Sequence, residues 1–208
     1  MLASAVPTEL PLADYQLIRT AMRPDENYLS YIISDRRTIH SFTAEVVDPS
    51  IVSAAVNCAR WAPNHKMTEP WRVIMVGPQT ASKIVDLNTR LVSEKRGGKS
   101  AASKRARWAA VPNWLAITSA KSADAVRTKE DYAATCCFIQ NLSLYLWSKR
   151  IGVKWTTGAV TRYNDVYELL DVDPEKEDVV GLLWYGYPSE VQRTAKRQSA
   201  EQILRHLP

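Results

Sequence analysis

The chain has 208 residues, 46% of them hydrophobic, which suits one sizeable core and leaves little room for two full domains. No apolar run approaches the ~20 residues of a membrane span, and no basic stretch followed by an apolar one opens the chain, so a soluble, cytoplasmic protein is expected. A net charge of +5 suits anionic nucleotides without identifying one. Cys58, Cys136 and Cys137 form neither a disulfide framework nor a spaced metal site, and are expected as buried small hydrophobes.

Residues 10 to 35 read as amphipathic helix broken at Pro24, an added helical layer. Asp48-Pro49 is a cap followed by Pro in the first turn, and the helix it opens runs through Ile51, Ala54, Ala55 and Cys58 to Trp61, before Pro63. Trp71 to Val76 is strand-like and yields at Gly77-Pro78 to a helix with apolar positions Ile84, Val85, Leu87 and Leu91, ending near Gly97-Gly98. A basic helix and a buried-looking strand at Trp114 to Ile117 follow. The helix from about Lys129 to Lys149 is apolar on nearly every face, so it must be covered on all sides, by its own domain or by another subunit. A short helix at Asn164 to Leu170, a strand at Val179 to Tyr185 and a last helix capped by Ser199 complete a mixed, non-alternating order.

Several chemistries have weak support. Gly97-Gly98-Lys99-Ser100 has the end of a P-loop, but Ser93 stands where its first glycine belongs and a helix precedes it. No Gly-x-Gly-x-x-Gly occurs, which argues against a Rossmann site. His206 lies in the tail, while His40 and His65 are each either structural hydrogen-bonding residues or ligand contacts. No His or Cys pair has zinc spacing and no hydroxyl residue has nucleophile-elbow glycines. Lys95, Arg96, Lys99, Lys104, Arg105 and Arg107 invite a nucleic-acid reading, although a solvated helix face accounts for them better.

Two segments are more specific. Arg36-Arg37-Thr38-Ile39-His40-Ser41-Phe42 concentrates two guanidinium groups, a hydroxyl and an imidazole, which a phosphate needs and a core does not. Ala62-Pro63-Asn64-His65-Lys66-Met67-Thr68-Glu69-Pro70-Trp71-Arg72 holds a short polar loop between two prolines that fix φ. In this order, followed later by Gln140-Asn141-Leu142, by Ile151 to Gly158 and by a strand ending in Gly-Tyr-Pro, they resemble the nitroreductase family of FMN enzymes in its short-form branch, over roughly residues 33 to 200.

The resemblance implies an α+β fold: a central mixed or antiparallel sheet flanked by helices, in an intertwined homodimer. Residues 1–34 would be an N-terminal helical extension and 35–208 the FMN-binding domain. Arg36, Thr38 and His40 match ribityl-phosphate contacts, Arg37 either helps or faces solvent, and Lys196 or Arg197 matches a basic residue that closes the phosphate. His65 and Lys66 match the loop near the pyrimidine edge, where a cation stabilises negative charge on reduced flavin. Trp155, Thr156 and Thr157 match the segment across the ring face, contributed by the other subunit, with a backbone amide near Thr157 or Gly158 directed at N5. The family usually has Arg or Lys at the place of His40, Asn at Met67 and Gln at Glu69.

The implied reaction is ping-pong: hydride passes from NADH or NADPH to flavin N5 and on to a nitroaromatic, quinone or similar flat acceptor, with no catalytic side chain and no metal. An FMN-dependent oxidase or dehydrogenase that returns electrons to oxygen is the alternative, and a basic nucleic-acid-binding protein is a third reading.

Overall fold

The computed structural model describes residues 26–190, 193 and 196–208. The chain divides into two units, Met1–Asp35 and Arg36–Pro208. In the first, helix α1 spans Glu26–Asp35; the rest of the helix expected from residue 10 lies outside the described residues.

In the second unit, α2 spans Pro49–Ala59; the Asp48 carboxylate accepts from the Ser50 N–H at 2.8 Å and Pro49 starts the first turn. A 3-10 turn at His65–Met67 leads to β1 (Trp71–Val76), α3 (Pro78–Arg96), α4 (Gly98–Ala109) and β2 (Asn113–Ala120). Then come α5 (Ala125–Ser148), β3 (Gly152–Thr156), a second 3-10 turn (Ala159–Arg162), α6 (Asn164–Leu170), β4 (Glu177–Gly186) and α7 (Ala200–Ile203). The expected mixed α and β architecture is thus present. Its sheet has the order β1-β2-β4-β3, antiparallel throughout, with a bulge on β4 opposite Ile117 and Thr118.

Alternation along the strands gives each face of the sheet its own core. On one side Trp71, Val73, Leu115, Ile117, Val153 and Leu183 pack with α2 and α5, where Phe138 is fully buried and stacks on Trp71 at 5.2 Å. Burying a side chain of that size contributes about 1.5–3 kcal/mol. On the other side Ile84, Val85 and Leu87 of α3, Trp108 of α4 and Val166 of α6 cover Trp114, Ala116, Leu182 and Trp184.

Three expectations change. The long helix starts at Ala125, because Asp124 caps it by accepting from the Val126 and Arg127 N–H groups. Its own chain buries only one face: Phe138, Ile139, Leu142 and Leu146 are inside, while Tyr132, Ala133, Cys137 and Gln140 are exposed. The cysteines are not buried, since Cys58 and Cys137 are exposed and Cys136 is half-buried.

Two glycines set the spacing at the β3 side. A Cβ on Gly152 would stand 2.3 Å from Cγ1 and 2.8 Å from Cβ of Ile39, and one on Gly181 would stand 2.2 Å from the Trp155 Nε1. The first clash involves a branched, fully buried side chain close to its backbone, so Ile39 cannot swing away. Gly152→Ala is expected to cost about 1–3 kcal/mol in urea denaturation. Gly98→Ala, whose Cβ would meet nothing within 4 Å, should stay within roughly 0.5 kcal/mol of the parent.

Candidate functional site

The segment 36–43 lies along the outer side of β3. Ile39 donates its N–H to the Val153 carbonyl at 3.2 Å, Thr38 bridges Val153 in parallel and Phe42 bridges Pro188 in antiparallel sense. Thr43 N–H to the Tyr187 carbonyl (2.8 Å) and Ser189 N–H to the Ser41 carbonyl (3.1 Å) complete the attachment. Ile39 is buried against Gly152, and its neighbours Thr38 and His40 are exposed. An apolar anchor between two polar residues is the alternation of an edge strand.

At one end of this segment stands Arg36, half-buried, with a buried Nε that finds no acceptor. Burial pushes its pKa down, and the charges of Arg197 and then Arg37 push the same way. Arg37 donates to the Arg36 carbonyl at 3.0 Å. Of Lys196 and Arg197, Arg197 is therefore the one whose charge bears on Arg36. Two guanidinium groups that repel one another around an orphaned donor fit an anion such as a phosphate.

Four residues along the chain, His40 sits at the rim of a cavity of about 190 Å³ lined by Lys104, Arg107, Trp108, Lys154, Thr156, Gly158 and Trp184. It gathers three cations and an imidazole, with no carboxylate in its lining. No side chain of Lys104, Arg107, Lys154 or His40 makes a hydrogen bond or ion pair among the described residues. The two lysines lie over indoles instead: Lys154 Nζ is 4.4 Å from the Trp184 ring centroid and Lys104 Nζ 5.6 Å from that of Trp108. Burial lowers the Lys154 pKa, with Arg107 and Lys104 adding to the effect; burial also lowers that of Lys104, followed by Arg96 and Arg107. Trp184 in addition carries a buried Nε1–H without an acceptor. The floor is rigid, because Trp108, Trp114 and Trp184 pack with ring centroids 5.0–5.6 Å apart.

A single chain thus brings His40, Thr156 and Gly158 together, although the resemblance implied that the segment from Trp155 would come from a second subunit. The N–H groups of Thr157 and Gly158 donate to no acceptor among the described residues. Trp155 lies on the opposite face of the sheet, its Nε1 donating to the Val180 carbonyl at 3.3 Å over Gly181. Within one chain the cavity lining does not include His65 or Lys66. They belong to a loop in which Lys66, Met67 and Glu69 all have positive φ. Asn64 Nδ2 donates to Thr68 Oγ1, Thr68 donates to the buried Asp131 of α5, and Glu69 N–H donates to Asn64 Oδ1. These bonds hold three non-glycine residues in the left-handed region, a strain found where a loop is shaped for contact.

Lys104, Arg107 and Lys154 are the site residues that sequence reading missed. For the first two the sequence holds the spacing, and the structure supplies the burial that gives it meaning. Lys104, Arg107 and Trp108 have helical spacing that shares one face, and Trp108 is buried, so that face turns inward. The basic run is consequently not a plain solvated face: Arg105 pairs with Asp86, and its neighbours line cavities. Among the described residues no group of His, Cys, Asp and Glu could hold a metal ion, and no helix is long and apolar enough to cross a membrane.

Residues 33–187 match the family model described as the nitroreductase family. A Bacillus subtilis relative named as an NAD(P)H nitroreductase, YfhC, is 29% identical over 171 residues, which cover 80% of this chain and 87% of that protein. Among solved structures, a nitroreductase-like family protein from Bacillus cereus is similar with a TM-score of 0.76 at 26% identity, covering 89% of this chain and 99% of the other. A nitroreductase from Desulfovibrio desulfuricans, solved in complex with FMN, has a TM-score of 0.70 at 19% identity over 88% of this chain and 98% of the other, a likeness of fold.

The His40 pKa lies below its ordinary value, through burial first and then through Lys154 and Arg107. The unfolded chain therefore binds this proton more tightly than the folded one. Stability should climb with pH from the folded pKa to about 6.5 and be flat in this contribution above it. Lys154→Gln is expected to move the His40 titration, followed by NMR, toward higher pH.

Proposed function

The chain belongs to the nitroreductase family, and from that premise we propose that it is an FMN-dependent NAD(P)H oxidoreductase whose cofactor lies along residues 36–40. The observation that carries this reading is the pair of unneutralised cationic sites at the two ends of that segment. Four residues separate them by at most about 14 Å of chain. Arg36 and Arg197 would take the phosphate, Thr38 the ribityl chain between, and His40, Lys104, Arg107 and Lys154 the pyrimidine edge. The free N–H groups of Thr157 and Gly158 are suited to the N5 side.

FMN, when bound, would supply the redox chemistry, hydride transfer from NADH or NADPH and electron delivery to a flat acceptor such as a nitroaromatic or quinone. The protein's part is electrostatic. Arg107, Lys104 and Lys154 would hold the negative charge that reduction places at the N1 and O2 edge, in a cavity partly screened from water. No carboxylate or thiol lines the cavity, so protons come from solvent, and a ping-pong exchange of donor and acceptor over one face needs no further side chain.

We infer a homodimer as well, and the same geometry supports it. The cavity of about 190 Å³ is smaller than the roughly 300–1,000 Å³ of a ligand pocket, so one chain encloses only an edge of the flavin. The exposed face of α5, together with Trp61 and Met67 at 78% and 76% exposure, offers the apolar surface for a second copy. Pairing there would let the His65–Glu69 loop close the partner's site.

Anaerobic mixing of the flavin-loaded protein with NADPH or NADH should bleach the flavin without added acceptor. Inertness to both would overturn the reductase and favour the oxidase alternative. Arg36→Ala should weaken FMN binding roughly a hundredfold, measured by quenching of flavin fluorescence, since it leaves the phosphate facing Arg197 alone.

A further inference from the structure

Beside the flavin cavity, and sharing Lys104 and Arg107 with it, lies a second, shallower basin of about 420 Å³ at the junction of α3 and α4. Val92 and Arg96 come from the end of α3, and Lys99, Ser100 and Ser103 from α4. It therefore presents four cations and two hydroxyls with no carboxylate.

Ordinary surface cations on these helices behave differently. Arg90 pairs with Asp165 at 2.6 Å and Arg105 pairs with Asp86, while Arg96, Lys99, Lys104 and Arg107 have no anionic partner among the described residues. Lys104 stands between the charges of Arg96 and Arg107, and both disfavour its protonated form. Cations and hydroxyls around one concavity, left unneutralised where their neighbours are paired, are the donor set of a phosphate group. The basin adjoins the flavin cavity, so a ligand anchored here can place another part of itself over the ring.

We propose that the α3–α4 basin is a phosphate subsite for the nicotinamide dinucleotide that reduces the flavin, built from Arg96, Lys99, Ser100 and Ser103 and joined to the redox cavity through Lys104 and Arg107. The assignment rests on the FMN reading above. Two phosphates can fill it: the 2′-phosphate, which only NADPH carries, or the diphosphate common to both donors.

The test compares KM for NADPH and for NADH in the flavin-loaded parent, in Arg96→Gln/Lys99→Gln, and in Arg90→Gln as a control on the same helix. The double variant should raise KM about tenfold, the loss expected for two partly exposed charge-assisted contacts. The parent KM should also rise with ionic strength. A rise for NADPH alone identifies the 2′-phosphate, and an equal rise for both donors identifies the diphosphate. An unchanged KM for both donors in the double variant, or an equal rise in Arg90→Gln, overturns the subsite. Calorimetric titration with adenosine 2′,5′-bisphosphate separates this proposal from the one beneath it. Should neither donor reduce the flavin, binding to the parent that is lost in the double variant still upholds a phosphate subsite, while equal or absent binding in both refutes it.

Discussion

Like charges brought around one cavity repel, and here the fold holds them in place against that repulsion. Two like unit charges 4 Å apart repel by about 1 kcal/mol in water and about 4 kcal/mol near a protein surface. Lys104, Arg107 and Lys154 face one another with His40, and Arg36 faces Arg197, without a carboxylate among the described residues to compensate either group. Such an arrangement gains free energy when an anion enters. On the proposed reading, an anionic cofactor would be both the ligand these groups select and the partner that relieves their mutual cost.

The remainder of the structure provides the rigidity this requires. Lys154 and Trp155 are consecutive residues of β3, so the pleat sends one to the cavity and the other to the opposite, partly open face over Gly181. The three packed indoles on the cavity side fix the height of Lys154 and Lys104 above the sheet. Gly152 lets Ile39 approach until the segment 36–43 can bond to β3, which places Arg36 and His40 at opposite ends of a fixed edge. Stability and binding are linked here, because the clusters persist only while both cores are intact.

Much of the fold was legible. The helices at 49–59 and 164–170 announce themselves by Asp48-Pro49 and by short apolar periodicity, and Trp71 to Val76 reads as a strand. β3 was less legible as a strand: it begins with glycine and mixes Lys154 with Trp155, a composition without clean alternation of polarity. β2 extends past its apolar run because Thr118 and Ser119 are buried with partners, the first donating to Glu177 and the second accepting from Thr135. Of the candidate site, Arg36, His40, Thr156 and Gly158 could be proposed from local motifs. Lys104 and Arg107 could not, since the meaning of a basic helix depends on which face the buried Trp108 turns inward, a fact of tertiary packing.

The most direct measurement is a calorimetric titration of flavin-free protein with FMN and, in parallel, with riboflavin, which lacks the phosphate. If Arg36 and Arg197 form the phosphate site while the His40 cavity takes the ring, both flavins bind, FMN binds more tightly, and the gap narrows as salt is raised. Equal affinity for the two, or no binding of either, would contradict the view that these cation clusters are held in place for an anionic flavin.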